Sequence, residues 1–392
     1  MKKLFAVLLC LLLALSLIGC VEAETPSTTD PSDDGTSETL VAETLTFSES
    51  KREDKINWYG RCYHDTGKAT VSINNSSSGF EVSFYGTELK AEFIATKSTM
   101  NAPELSGNGY LCVFIDGETD FRQAETIELD VTDGSAAEVV LAQGLEKGEH
   151  TVKVLKVTEV KYTQAYVKSI TSDGGFKAPP EKPSLKLEII GDSITAGANA
   201  MREYSIDVIT TDSENSLASY GAIAAARLNA QFNVVCRSGL TVSGGTSGTQ
   251  YKKLADYYGL YSEKDTVAWD FSEYIPDAVI IDLGTNDKLV KVSDTVIKKA
   301  YKEALDTIRS HYPDAYIFCC TGAMGDDTEN DYAYQLGVLV GTIADEYNAA
   351  GDGKIVHVEL SQKTTAGHPK AQTHRTNGLG LVATIRSVMG LN

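Results

Sequence analysis

Apolar and polar positions change rhythm once along this chain, close to residue 180. Before that point short runs alternate apolar and polar, as in Thr151-Val152-Lys153-Val154, and turn pairs such as Asp116-Gly117 and Lys147-Gly148 punctuate them. Alternation with a period of two marks a strand with one face buried. It predicts strands at 69–73, 80–85, 89–95, 110–115, 127–131, 139–142, 151–157 and 165–172. So many short strands predict an all-β sandwich over 46–176, of the jelly-roll kind. Pro179, Pro180 and Pro183 follow. Residues with fixed φ and no backbone donor cannot continue a central strand or a helix, so 177–184 reads as a stiff Pro-rich linker.

From Leu185 to Asn392 the grammar is different. Nearly unbroken apolar runs at 185–190, 232–236, 278–283, 316–320 and 355–358 alternate with helix-like segments at 217–228, 293–310, 332–348 and 379–389. In the second segment Val296, Ala300 and Ala304 recur beside Ile297 and Ile308, giving one apolar stripe, and Ser293 stands where an N-cap belongs. Strand–helix alternation predicts an α/β domain, a parallel sheet with flanking helices on both faces and right-handed connections. Groups that meet a ligand should then come from loops at the carboxyl ends of the strands.

Composition matters first at the N-terminus. Lys2 and Lys3 precede an apolar run from Leu4 to Ile18, too short for a comfortable membrane span and placed like the core of a signal peptide. It ends Leu17-Ile18-Gly19-Cys20, which resembles the bacterial lipobox. That resemblance implies a signal peptide over 1–20, lipid on Cys20, and attachment to the outer face of the cell membrane through that lipid alone. Residues 21–45, rich in Thr, Ser, Asp, Glu and Pro, then read as a solvated tether. The whole chain of 392 residues carries a formal charge of −19 at pH 7. Phosphate binding needs clustered Lys and Arg, so nucleic acid is excluded as a partner, whereas a neutral polysaccharide is not. Cys62, Cys112, Cys236, Cys319 and Cys320 show no metal-ligand spacing and predict neither a structural metal nor a disulfide framework.

Four predicted strand ends carry chemistry. They read Gly191-Asp192-Ser193, Arg237-Ser238-Gly239, Gly284-Thr285-Asn286-Asp287, and Thr364–His374 with two histidines, His368 and His374. Together they supply a hydroxyl, a glycine N–H, a side-chain amide and an imidazole, the parts acyl transfer requires. Each has a plainer reading. Ser193 can cap a helix, Asn286-Asp287 can form an Asx turn, and Trp269 can serve the core as well as stack on a sugar.

The order of these blocks resembles that of the SGNH (GDSL-type) hydrolases. A β-sandwich placed before such a domain resembles carbohydrate esterase family 2, deacetylases of xylan and related polysaccharides. Gly60-Arg61, Glu214-Asn215 and Trp269-Asp270-Phe271 add to the likeness. The resemblance implies an acetyl esterase with Ser193 as nucleophile and His368 as base, the His-Pro context favouring His368 over His374. It implies an oxyanion hole of the Ser193 and Gly239 N–H groups and the Asn286 amide, with Asp192 and Asp287 in support. It calls for no cofactor or metal, and for an acetylated polysaccharide as the partner of a monomer. One departure stands out. Most SGNH hydrolases carry an Asp shortly before the His, and here Thr365, Ala366 and Gly367 stand there. A Ser–His dyad steered by a backbone carbonyl, a carboxylate from elsewhere such as Asp326 or Asp327, or an inactive sugar-binding domain would each accommodate that. A lipid or thioester hydrolase is the nearest alternative enzyme.

Overall fold

The computed structural model describes residues 40–97, 107–130, 134–202, 210–246, 251–325, 328–329, 331–364 and 367–392. Cys20, the signal segment and the tether up to residue 39 lie outside them. Two antiparallel sheets come first. One holds β1 (Glu43–Thr46), β3 (His64–Asp65), β4 (Thr70–Ser72), β6 (Leu89–Lys97), β9 (Ala136–Ala142) and β11 (Thr163–Ser172). The other holds β2 (Ile56–Tyr59), β5 (Gly79–Gly86), β7 (Gly109–Ile115), β8 (Glu125–Leu129), β10 (Gly148–Lys156) and β12 (Gly175–Phe176). Alternation turns Phe80, Val82 and Phe84 of β5 and Leu89, Ala91, Phe93 and Ala95 of β6 inward, and both sets join one core. Trp58 belongs to that core, edge-on to Phe47 and Phe80. The domain starts earlier than residue 46, because β1 pairs along β11 from Glu43.

The segment 177–184 is not a free spacer. It is extended, but Lys177 N–H donates to Ser83 O, Asn57 Nδ2 to Pro180 O at 2.6 Å, and Lys182 Nζ to Trp58 O at 2.6 Å. Prolines fix its direction, and bonds to the Asn57 side chain, the Trp58 carbonyl and the Ser83 carbonyl fix its place.

The second domain is a five-stranded parallel sheet in the order β14-β13-β15-β16-β17. Its strands are β13 (Lys186–Gly191), β14 (Gln231–Cys236), β15 (Ala278–Asp282), β16 (Tyr316–Thr321) and β17 (Ile355–Glu359). Successive residues serve opposite faces. Ile190, Val279, Ile281 and Ile317 pack with α3 (Asp294–His311) and α4 (Tyr332–Ala349), while Leu187, Ile189, Ile280 and Phe318 pack with α1 (Tyr220–Arg227) and α5 (Ala371–Met389). A short α2 (Thr285–Leu289) begins straight after β15. Burial on both faces explains why these strands read as continuous apolar runs. Within α3 the buried stripe is Ile297, Ala300, Tyr301, Leu305 and Ile308; Val296 is exposed, and Ser293 sits at the N-cap without a side-chain bond. Helix α5 begins at Ala371 rather than at 379, since Gln372, Thr373, Arg375 and Thr376 dilute its apolar period.

A buried ion pair joins the two domains. Arg61, just after β2, donates to Glu188 in β13 at 3.0 Å and to the carbonyls of Tyr258 and Leu260. Its guanidinium lies 5.1, 5.0 and 5.5 Å from the rings of Tyr258, Trp269 and Phe271. Trp269 is therefore part of the domain junction, not a sugar platform.

Candidate active site

Strand β13 leads into the first site loop, and its last residue is glycine for a steric reason. A Cβ on Gly191 would lie 2.0 Å from Thr195 Oγ1. The chain then folds through successive turns rather than a regular helix, with Ala196 N–H bonded to Asp192 O and Ala198 N–H to Ser193 O, both at 3.0 Å. Asp192 holds the turn, accepting the Ile194 N–H at 2.9 Å. Burial pushes the Asp192 carboxyl up to about 7. Ser193 is 7% exposed.

The histidine arrives from the far end of the sheet. After β17 the chain bridges Thr364 to Met324, and the Thr364 hydroxyl donates to Gly367 O at 2.9 Å. Gly367 takes φ +70°, and His368 follows. Its Nε2 lies 2.8 Å from Ser193 Oγ. The loop is tied to the serine turn beyond the ring, by Ala371 N–H on Ala200 O at 2.9 Å. His374 does not reach the serine. It is buried on α5, its Nδ1 accepting the Tyr220 N–H at 3.2 Å, and burial pulls its imidazole down to about 3, with the nearby His368 adding to the effect. Residues 326, 327, 365 and 366, where a carboxylate or carbonyl for the other side of His368 was sought, lie outside the described residues.

Two of the expected oxyanion donors have no acceptor among the described residues. Gly239 follows β14, whose last residue Cys236 pairs with Gly191, and it takes φ +79°, a conformation that favours glycine. Among the described residues the N–H groups of Ser193 and Gly239 have no protein acceptor. Asn286, the third candidate, is differently placed. Its Nδ2 already donates to Asp192 Oδ2 at 2.9 Å and to Leu240 O at 3.1 Å, so both amide hydrogens are engaged. In this structure Asn286 braces the serine turn against the Gly239 loop. Asp287 accepts from Val242 N–H and Ser243 N–H, each at 3.0 Å, and from the Ser243 hydroxyl, which fixes the far side of the same loop. Among the described residues no cluster of three or more His, Cys, Asp or Glu is arranged to hold a metal ion. The five described cysteines are free and buried.

A residue that sequence reasoning passed over is Glu159, in the turn between β10 and β11. It crosses to the second domain and accepts from Ser238, next to Gly239. No motif surrounds it. Only the nearby Glu214-Asn215 likeness hinted at the place, and Glu214 Oε1 indeed accepts the Glu159 N–H at 2.6 Å.

A serine just past a strand's carboxyl end, an imidazole on its hydroxyl and N–H groups without an acceptor among the described residues are the parts that acyl transfer requires, and the GDSL-like lipase/acylhydrolase family matches residues 189–375. The carbohydrate esterase 2 N-terminal family matches residues 59–180. The chain is therefore similar to a carbohydrate esterase 2 N-terminal domain followed by a GDSL-like hydrolase domain. It is 32% identical over 323 residues to the cellulase/esterase CelE of Acetivibrio thermocellus, covering 80% of this chain and 37% of that protein. It is 25% identical over 325 residues to an acetylxylan esterase/glucomannan deacetylase of Cellvibrio japonicus, covering 80% of this chain and 86% of the relative. The solved structure of a family two carbohydrate esterase from Clostridium thermocellum in complex with cellohexaose superposes with a TM-score of 0.76 at 28% identity, over 86% of this chain and all of the other.

Proposed function

We propose that the protein removes O-acetyl groups from a polysaccharide, xylan or a related polymer, through an acetyl–Ser193 intermediate. The observation that carries this reading is the 2.8 Å contact between Ser193 Oγ and His368 Nε2, with the Ser193 N–H on the serine loop and the Gly239 N–H on the loop after β14 both lacking an acceptor among the described residues. Ser193 Oγ attacks the acetyl carbonyl carbon while its proton passes to His368 Nε2. The carbonyl oxygen becomes an oxyanion facing the Ser193 and Gly239 N–H groups, and one such donor contributes on the order of 3 kcal/mol. Collapse breaks the ester bond, and His368 returns the proton to the departing sugar oxygen. Water, deprotonated by the same imidazole, then attacks the acetyl–serine; the bond to Ser193 Oγ breaks, His368 returns the proton to that oxygen, and acetate leaves.

The names of the relatives support acetylated xylan or glucomannan as substrate class. The strand orders β4-β11-β6-β9 and β5-β10-β7-β8 support reading the β domain as a jelly roll, two interleaved Greek keys. Residues 2–20 support export and lipidation at Cys20, which metabolic labelling with radioactive palmitate tests, the label being lost in Cys20→Ala. The monomer is tested by sedimentation. For the activity itself, p-nitrophenyl acetate and acetylated xylan are offered to wild type and to Ser193→Ala. Acetate release by wild type alone is expected, with turnover falling steeply from acetate to butyrate esters. Equal rates from the two proteins overturn the esterase reading, and faster turnover of long-chain esters turns it towards a lipid hydrolase.

A further inference from the structure

The Gly239 N–H belongs to the Ser238–Gly239 peptide, so whatever fixes that peptide plane aims the donor. In a trans peptide the C=O and the N–H point in opposite directions. Arg237 Nη1 donates to Ser238 O at 3.2 Å, while Arg237 Nε is held by Glu263 Oε2 at 2.7 Å. The carbonyl is thereby held, and the N–H on the opposite edge is left for a ligand. The amino side of Ser238 is held from the other domain. Glu159, 1% exposed, takes the Ser238 N–H on Oε2 at 2.6 Å and the Ser238 hydroxyl on Oε1. Lys161 Nζ lies 3.1 Å from Glu159 Oε1.

We infer that Glu159 of the β domain is a positioning residue for the reaction, fixing Ser238 so that the Gly239 N–H meets the oxyanion. The β domain is then part of the catalytic apparatus as well as a flanking module. Its turn is itself well anchored, since Val157 O accepts the Ser216 N–H at 3.0 Å and the Ser77 and Ser216 hydroxyls lie 2.8 Å apart. The electrostatics fit an acceptor role. Burial would raise the Glu159 carboxyl, but Lys161 and the Ser238 donors outweigh it and hold it below the usual range. Burial and then the Glu159 charge push the Glu214 carboxyl well up.

The inference rests on the esterase reading, and the test separates the two. Wild type, Glu159→Gln and Ser238→Ala are compared on p-nitrophenyl acetate, each rate normalised to active sites titrated with diethyl p-nitrophenyl phosphate. Glu159→Gln keeps the volume but gives up one acceptor and the charge. Its kcat is expected to fall ~10- to 100-fold with KM within about twofold, the signature of a misplaced oxyanion donor. Ser238→Ala removes the hydroxyl contact alone and is expected to lower kcat about 3- to 10-fold. A general loss of structure would instead lower the titrated site count. If Glu159→Gln does not fold, Ser238→Ala decides. A kcat within twofold of wild type in the folded Glu159→Gln, or in Ser238→Ala when that variant decides, overturns the inference while leaving the esterase intact. Wild-type turnover equal to that of Ser193→Ala overturns the reading beneath it.

Discussion

His374 is expected to make this protein lose stability in mild acid, by an amount that can be worked out. Its imidazole is buried on α5 with Nδ1 accepting from Tyr220 N–H and Nε2 without a partner among the described residues, and burial pulls it down to about 3. An unfolded histidine titrates near 6.5, so between the two values the unfolded chain binds a proton that the folded chain refuses. The stabilisation is present above pH 6.5 and is lost as pH falls towards the folded pKa. At pH 5 the folded ring is still neutral and the unfolded one lies about 1.5 units below its pKa, which at 1.36 kcal/mol per unit is about 2 kcal/mol. The assay is urea unfolding of wild type and His374→Leu at pH 7.5 and pH 5. The substitution also leaves the Tyr220 N–H without its acceptor, at a cost of about 1–3 kcal/mol, but that cost is the same at both pH values. Wild type should therefore lose about 2 kcal/mol more than the variant on acidification. Equal losses, within about 0.5 kcal/mol, would refute the argument that the ring is held neutral by burial.

Three further outcomes are expected. Asn286→Asp replaces two donated hydrogen bonds by a carboxylate 2.9 Å from Asp192 and beside the Leu240 carbonyl, so its kcat should lie at least about tenfold below that of Asn286→Ala; the reverse order would sink the bracing role. Arg61→Met leaves Glu188 buried without its cation and should cost about 3–5 kcal/mol in urea unfolding, much of it restored by adding Glu188→Leu; a loss under about 1 kcal/mol would count against the pair. Asp287→Ala frees Val242 and Ser243 and should speed exchange of those two amide hydrogens by about tenfold or more, and unchanged protection in hydrogen-exchange mass spectrometry would remove Asp287 from the loop's support.

The parallel sheet was legible because burial on both faces demands runs such as Ala278–Asp282, and the site loops were legible because strand ends are where such folds put chemistry. Strand β2 was not, since INWY is too short to show a period, and neither was the start of α5, where buried His374 and Asn377 lie among half-buried polar neighbours. Ser193 and His368 could be named from their blocks and do meet. The role of Asn286 could not be refined in the same way, because one of its two acceptors is a backbone carbonyl, Leu240 O, which no side-chain pattern reveals. Glu159 was invisible for a related reason: one acidic residue in a turn of a separate domain carries no local signal, and only the tertiary fold brings it to Ser238.

The guanidinium of Arg61 sits under three rings and neutralises a carboxylate in β13, next to the edge strand of the other domain's sheet. A catalytic half recombined onto a foreign partner would carry Glu188 into its own interior uncompensated. The two halves must therefore be inherited, or engineered, as a single cassette. Linker length offers no freedom there, because Asn57 and Lys182 pin the connecting segment to β2.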